Sequence, residues 1–250
     1  MVIHMVTDMV THMDTIMSTE HSGESAATLM QLMWMASPAL PVGGFSYSEG
    51  LESAVETRRV HDEASAARWL HDQLHLSLAR SDAPVAAQAF RAWQAHDSAR
   101  IAELNAWVLS TRETSELRLQ AEQMGRSFVQ WLKNGPHARD PRVAQCEALP
   151  GAPTWPVAFA LGAALSGASE QAALWCLAFA WADNQVQAAV KAVPLGQAAA
   201  QRLLQGLSEH IPSAMAAAAA LDDDTRQAFT PMLAILCSQH ESQYSRLFRS

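Results

Sequence analysis

From residue 27 to residue 240, apolar residues recur three and four positions apart almost without a break. That spacing lines one face of an α-helix, and no alternating run long enough to make a strand interrupts it. TRETSELRLQAEQMGRSFVQWLKN is the clearest case, with Leu117, Ala121, Met124, Phe128 and Trp131 on one stripe and Asn134-Gly135-Pro136 as its stop. Further helices are expected in a short stretch ending before Pro38, at 46–59, after His61-Asp62-Glu63 to about Arg80, from Ser81-Asp82 through Phe90 and Trp93, around Ile101, Leu104, Val108 and Leu109, near 155–166, 169–191, 195–210 and 213–221, and from about Pro231 to His240. Leu29, Leu32 and Met33 supply the apolar face of the first. Only 11 glycines and 11 prolines in 250 residues punctuate the pattern. The fold expected is all-α, a single compact helical domain of about ten helices with irregular connecting loops.

The exception is ASPALPVGGFSYSEGLE, residues 36–52. Pro38 and Pro41 fix φ, and Gly43 and Gly44 permit positive φ, so the stretch specifies a backbone path. Ser46 and Glu49 have capping-box spacing ahead of the next helix. Phe45 and Tyr47 are expected to point outward. Gly50 would sit inside the first helical turns, where glycine costs about 1 kcal/mol against alanine, so something is expected to pass close to it. Gly125 in the later helix suggests tight helix–helix packing in the same way.

Residues 1–25 carry Met1, Met5, Met9, Met13 and Met17 at a spacing of four, with His4, His12 and His21 between them. They read as a poorly ordered extension, the alternative being a metal-collecting tail. Residues 26–250 form the helical domain, ending in a docking segment at 241–250. The first 25 residues lack a basic leader region. The apolar stretch 155–182 is split by Gly162, Gly167, Ser169 and Glu170 into pieces too short to span a bilayer. A net charge of −8 argues against a nucleic-acid surface, and three scattered cysteines fit a reducing compartment.

Catalytic motifs fail on inspection. GGFSYS lacks the final glycine and the preceding strand of a nucleophile elbow, and neither a P-loop nor a dinucleotide fingerprint is present. His71 and His75 are four apart on one helix without the glutamate of a zinc protease, and read as partly exposed helix histidines. Cys237 and His240, three apart on the last helix, are the metal candidates, but the sequence supplies no third or fourth ligand. Arg112 and Glu116 have the i, i+4 spacing of a surface ion pair. Lys191 lies near a helix C-terminus, where the macrodipole favours it, and would also suit an anionic partner group. The end, HESQYSRLFRS, interleaves Tyr244, Leu247 and Phe248 with Arg246 and Arg249, residue types that anchor interfaces.

ASPALPVGGFSYSEGLE, TRETSELRLQAEQMG, NQVQAAVKAVPLGQAAAQ (184–201) and HESQYSRLFRS together resemble the urease accessory protein UreF family, in order and from about residue 29 to the end. The resemblance implies a dimeric, cytoplasmic, non-enzymatic nickel-insertion chaperone. It would bind the accessory protein UreD (UreH in some species) and recruit the GTPase UreG to deliver nickel to apo-urease. No cofactor would be tightly bound, and nickel would pass at most transiently. On the matching motifs, the partner-binding residues would be Phe45, Tyr47, Glu49, Gly50, Glu52, Arg112, Glu116, Lys191, Gln197, Tyr244, Arg246, Leu247, Phe248 and Arg249. The resemblance also places the turn beside the tail. Tyr47 stands where histidine is expected, which removes an imidazole from the turn. Two alternatives remain open, a regulator of the partner's GTP hydrolysis, with Lys191 as its cation, and a nickel carrier in its own right.

Overall fold

The computed structural model describes residues 23–249, so the expectations for the N-terminal extension fall almost entirely outside it. Eleven α-helices and no strand are found among the described residues. In chain order they are α1 (Ala26–Met35), α2 (Leu51–Glu56), α3 (Glu63–Gln73), α4 (Asp82–Gln94), α5 (Ser98–Thr111) and α6 (Ser115–Lys133). There follow α7 (Pro141–Glu147), α8 (Trp155–Leu165), α9 (Glu170–Ala192), α10 (Gln197–Ala219) and α11 (Pro231–Glu241). None of these helices is long and apolar enough to cross a membrane.

The core is built on α8. Its residues Pro156–Ala163 are all buried, because α4, α6 and α9 cover it on different sides. Small side chains permit this. Ala83, Ala86 and Ala87 of α4 are buried, and a side chain at Gly162 of α8 would meet the Phe128 ring of α6. The Trp93 indole N–H of α4 donates to the Val157 carbonyl at 3.0 Å, which satisfies the one polar atom of a fully buried ring. α9 and α10 then pack along each other and close the other side.

Several boundaries differ from the sequence reading, each for a physical reason. The helix expected from 111 breaks at 112–114. Thr114 adopts extended backbone and caps α6 by accepting from the Leu117 amide, so Arg112 and Glu116 belong to different elements. The helices expected at 195–210 and 213–221 are one helix running through Pro212. Leu207, Ile211, Ala214 and Met215 form a buried face on both sides of that proline, and this packing outweighs a penalty of about 3 kcal/mol. The long loop 135–154 contains α7, capped by Asp140 with Pro141 in its first turn. Leu29 and Met33 of α1 are exposed, while Thr28, Leu32 and Met35 face inward. After α3 the chain widens into a π-helical turn, Leu74–Leu78, in which the Ala79 amide donates to the Leu74 carbonyl.

Gly125 does mark a close approach, but to an extended segment rather than a helix. A Cβ there would overlap the Pro153 carbonyl oxygen and lie 2.7 Å from its carbon. Asn105 holds that segment in place. Its amide donates to the Ala152 carbonyl at 2.8 Å, and its oxygen accepts from the Thr154 amide at 2.9 Å.

Candidate functional site

The 36–52 stretch does not continue into a helix at Ser46. Gly44–Ser46 makes one 3₁₀ turn after Gly43 takes a left-handed φ of 76°, and Tyr47 returns to extended backbone. Glu49 and Gly50 are then both left-handed, at φ 50° and 77°, before α2 begins at Leu51. Gly50 is therefore the residue flanking α2 and not part of its first turns. Its missing side chain makes room for α11: a Cβ would lie 3.1 Å from both the Cys237 Sγ and a Leu233 methyl. The neighbour of Gly50 is the last helix, while the tail beyond it runs past Glu52.

Left-handed backbone turns Glu49 inward, away from the Ser46 amide that a capping box would require. Its carboxylate accepts from the Gln120 amide at 2.7 Å and the Trp181 indole N–H at 2.9 Å. Burial pushes the Glu49 carboxyl above its ordinary value of 4.5, against the opposing pull of those two hydrogen bonds. The folded protein thus holds this proton more tightly than the unfolded chain does. The resulting stability is fully present below the unfolded value and is lost as pH rises through the folded one. Urea midpoints should therefore decline more steeply from pH 4.5 upward in the native protein than in Glu49→Gln, and parallel curves would contradict this.

Glu52 organises the tail. It is 7% exposed, and its two oxygens accept from the Leu247 amide at 2.7 Å and the Phe248 amide at 3.0 Å. The second oxygen also lies 3.2 Å from Nε2 of His240, a fully buried ring of α11. On the other side of that ring, Nδ1 lies 2.7 Å from Glu116 Oε2 at the start of α6. Glu116 extends the chain of contacts by accepting from Arg246 at 2.6 Å. Three residues further, the Arg249 amide donates to the Ser46 carbonyl at 2.8 Å and ties the tail directly to the turn. Turn, tail, α6 and α11 are thus joined through two carboxylates and one imidazole.

Above this polar layer lies an aromatic one. The Lys191 ammonium at the end of α9 sits 5.8 Å from the Phe45 ring and 5.7 Å from the Phe248 ring, within cation–π range of both. Phe248 is buried, while Phe45 is 55% exposed, Leu247 70% and Tyr244 fully exposed.

The predicted residues accordingly separate into two sets. Phe45, Lys191, Tyr244, Arg246, Leu247 and Arg249 face solvent, whereas Tyr47, Gly50, Glu52 and Phe248 lie beneath them. Tyr47 corrects the outward expectation: it is 3% exposed, and its hydroxyl donates to Gln123 at 2.6 Å. Burial raises its phenol above the ordinary value, with Arg249 pulling the other way. Arg112 pairs with Asp82 at 2.5 Å instead of Glu116, in a cleft also lined by Glu49, Gln120 and Asn184. Gln197 is the exposed first residue of α10 and makes none of the hydrogen bonds of the cluster. Cys237 and His240 are both buried, burial pushes the Cys237 thiol well up, and both His240 nitrogens face carboxylates. Sequence reasoning missed Gln123, whose single tertiary hydrogen bond to Tyr47 leaves no trace in spacing. It also missed the acceptor role of Glu52 toward the tail.

The UreF family model matches residues 60–208. A urease accessory protein UreF from Polaromonas sp. (strain JS666 / ATCC BAA-500) is 60% identical over 225 residues, covering 90% of this chain and 96% of its own. One from Paracidovorax citrulli is 59% identical, covering 91% of each. A third, from Azoarcus sp. (strain BH72), is 45% identical over 94% of this chain and all of its own length. With a family model matching more than half of its length and relatives this similar over nearly all of it, the chain belongs to the UreF family.

Proposed function

We propose that this protein is a urease accessory protein that acts without catalysis of its own, as a recruitment subunit in nickel insertion. The surface formed by the turn and the tail binds a UreD/UreH-type accessory protein. The assembled pair then presents a site for the UreG GTPase, and nickel passes through the assembly to apo-urease. The protein works in the cytoplasm as a homodimer, and any nickel it meets there is cargo.

The observation that carries this reading is the anchoring of the tail. Glu52 and Ser46 bind three consecutive tail amides, at Leu247, Phe248 and Arg249. Backbone held this way loses its entropy before a partner arrives, so docking pays less for ordering it. Phe45, Tyr244 and Leu247 remain exposed beside exposed arginines, and Tyr and Arg are among the residue types enriched where interface energy concentrates.

Deletion of Tyr244–Ser250 is the test. Co-purification with the UreD-type partner and activation of urease are both expected to be lost, while far-UV circular dichroism keeps its helical signal. Complex formation and urease activation at the level of the full chain would refute the reading.

A second reading, regulation of the GTPase, is favoured by one observation. Lys191 is held between two rings with its charge exposed. A lysine cannot supply the bidentate fork of an arginine finger, so its effect would be that of a point charge near phosphate. Single-turnover GTP hydrolysis in the assembled complex, with Lys191→Ala against the native residue, decides it. Equal rates exclude it.

A further inference from the structure

Away from the turn and the tail, three histidines meet where α3, the π-helical turn and α10 come together. His71 lies in the last turn of α3, His75 in the π-helical turn, and His210 two-thirds of the way along α10. Their ring centroids are 4.4 Å apart for His71 and His75, 4.8 Å for His71 and His210, and 5.8 Å for His75 and His210. One nitrogen from each lies within 4.8 Å of the other two. The sequence offers only the first pair, since His210 is 135 positions beyond His75 and joins it through the packing of α10 on α3 and the π-helical turn.

We propose that His71, His75 and His210 form a binding site for a first-row divalent cation of the imidazole-preferring kind, Zn²⁺, Ni²⁺ or Cu²⁺. Three nitrogen donors with a remaining position open to water make a recognised coordination set for such ions. Ligand nitrogens around one ion at about 2.0–2.1 Å stand roughly 3.3 Å apart. The cluster must therefore draw in by about 1.5 Å, which rotation of exposed side chains accomplishes without moving a helix. His71 and His210 are exposed and His75 half-buried, so an ion can enter from solvent.

Three further features fit a ligand role. Among the described residues, no ring nitrogen of the three has a hydrogen bond to the protein, so no bond must be broken for coordination. The Asp72 carboxylate lies 3.9 Å from His71 Nδ1, where it can orient that ring or complete the coordination. The π-helical turn that displays His75 is itself a rare conformation that recurs at functional sites.

The site is independent of the docking surface, and its test reads the metal alone. Isothermal titration with NiCl₂ and, separately, ZnCl₂ is performed on the full chain carrying His4→Ala, His12→Ala and His21→Ala, which removes the imidazoles of the N-terminal segment. One ion per chain is expected for at least one of the two metals. His71→Ala and His210→Ala should each weaken it by at least about 10-fold, in line with the loss of one ligand. His137→Ala, elsewhere on the surface, should leave it unchanged. Circular dichroism is the check that the exposed-site variants keep their helices, and His210→Gln provides a second variant of matched polarity. Binding that is unchanged in both His71→Ala and His210→Ala, or no binding of either metal above background, overturns the proposal.

Discussion

Glu52→Ala should release the C-terminal tail and lower the stability of the whole protein. The substitution strips the acceptor from the Leu247 and Phe248 amides and leaves one side of the fully buried His240 ring facing nothing polar. A buried donor left unpaired costs about 1–3 kcal/mol. Some of the tail will find water once it detaches, so the expected total is about 3 kcal/mol. For a chain of this size, that corresponds to a fall in Tm of roughly 6–12 °C. The local signature is sharper than the global one. Amide exchange at Leu247 and Phe248 should rise toward that of unstructured chain, while the α8 amides exchange only as much faster as the lost global stability requires. Glu52→Gln retains one acceptor oxygen and should fall between the two. Unchanged protection at Leu247 and Phe248 in Glu52→Ala would show that the carboxylate does not hold the tail.

Gly125→Ala is expected to be still more damaging, against the direction of helix propensity. In an exposed helix the same exchange would stabilise by about 1 kcal/mol. Here the added methyl would collide with the Pro153 carbonyl and approach the Thr154 carbonyl carbon to 2.8 Å. Backbone cannot rotate aside as a side-chain tip can, and Asn105 pins this segment from the other side. Relief requires α6 to separate from the 152–154 segment and so from α8. Overpacking typically costs 1–3 kcal/mol where side chains can adjust, and about 3 kcal/mol or more is expected here. Urea denaturation measures it. A midpoint equal to or above that of the native protein would mean that the close approach is absent.

Helical periodicity made the class of fold and most of the helices legible, because burial on one face repeats within a few residues. What it did not reveal depends on contacts between distant segments. Arg112 and Glu116 have the spacing of a helical ion pair, yet Thr114 ends that possibility by capping α6, and each charge finds a partner elsewhere, in Asp82 and in His240 with Arg246. Thr114-Ser115-Glu116 carried a start signal that the apolar stripe downstream overshadowed. Residues 195–210 and 213–221 read as two helices because the buried face that carries α10 through Pro212 is not a local property. At the candidate site, the family motifs named segments that the fold brings together, but not the direction of each side chain. Tyr47 and Phe45 are two residues apart, and one is buried while the other is exposed, since Phe45 lies within the 3₁₀ turn and Tyr47 follows it in extended backbone. Likewise Glu52 lies on the buried side of a helix only six residues long, where its role becomes visible only once the tail is laid against it. The histidine cluster shows the same limit: spacing pairs His71 with His75, and His210 joins them only through the packing of α10.

On the reading proposed above, the anchored tail and the turn present a docking surface. The most direct measurement is the affinity of the double variant Tyr244→Ala/Leu247→Ala for a UreD-type accessory protein, by titration calorimetry, beside that of the native chain. Both side chains are exposed, so the fold and the Glu52 anchor remain intact. A loss of about 100-fold, near 3 kcal/mol, is expected if these are the anchoring residues. An affinity within about threefold of the native chain, below 1 kcal/mol, would contradict it.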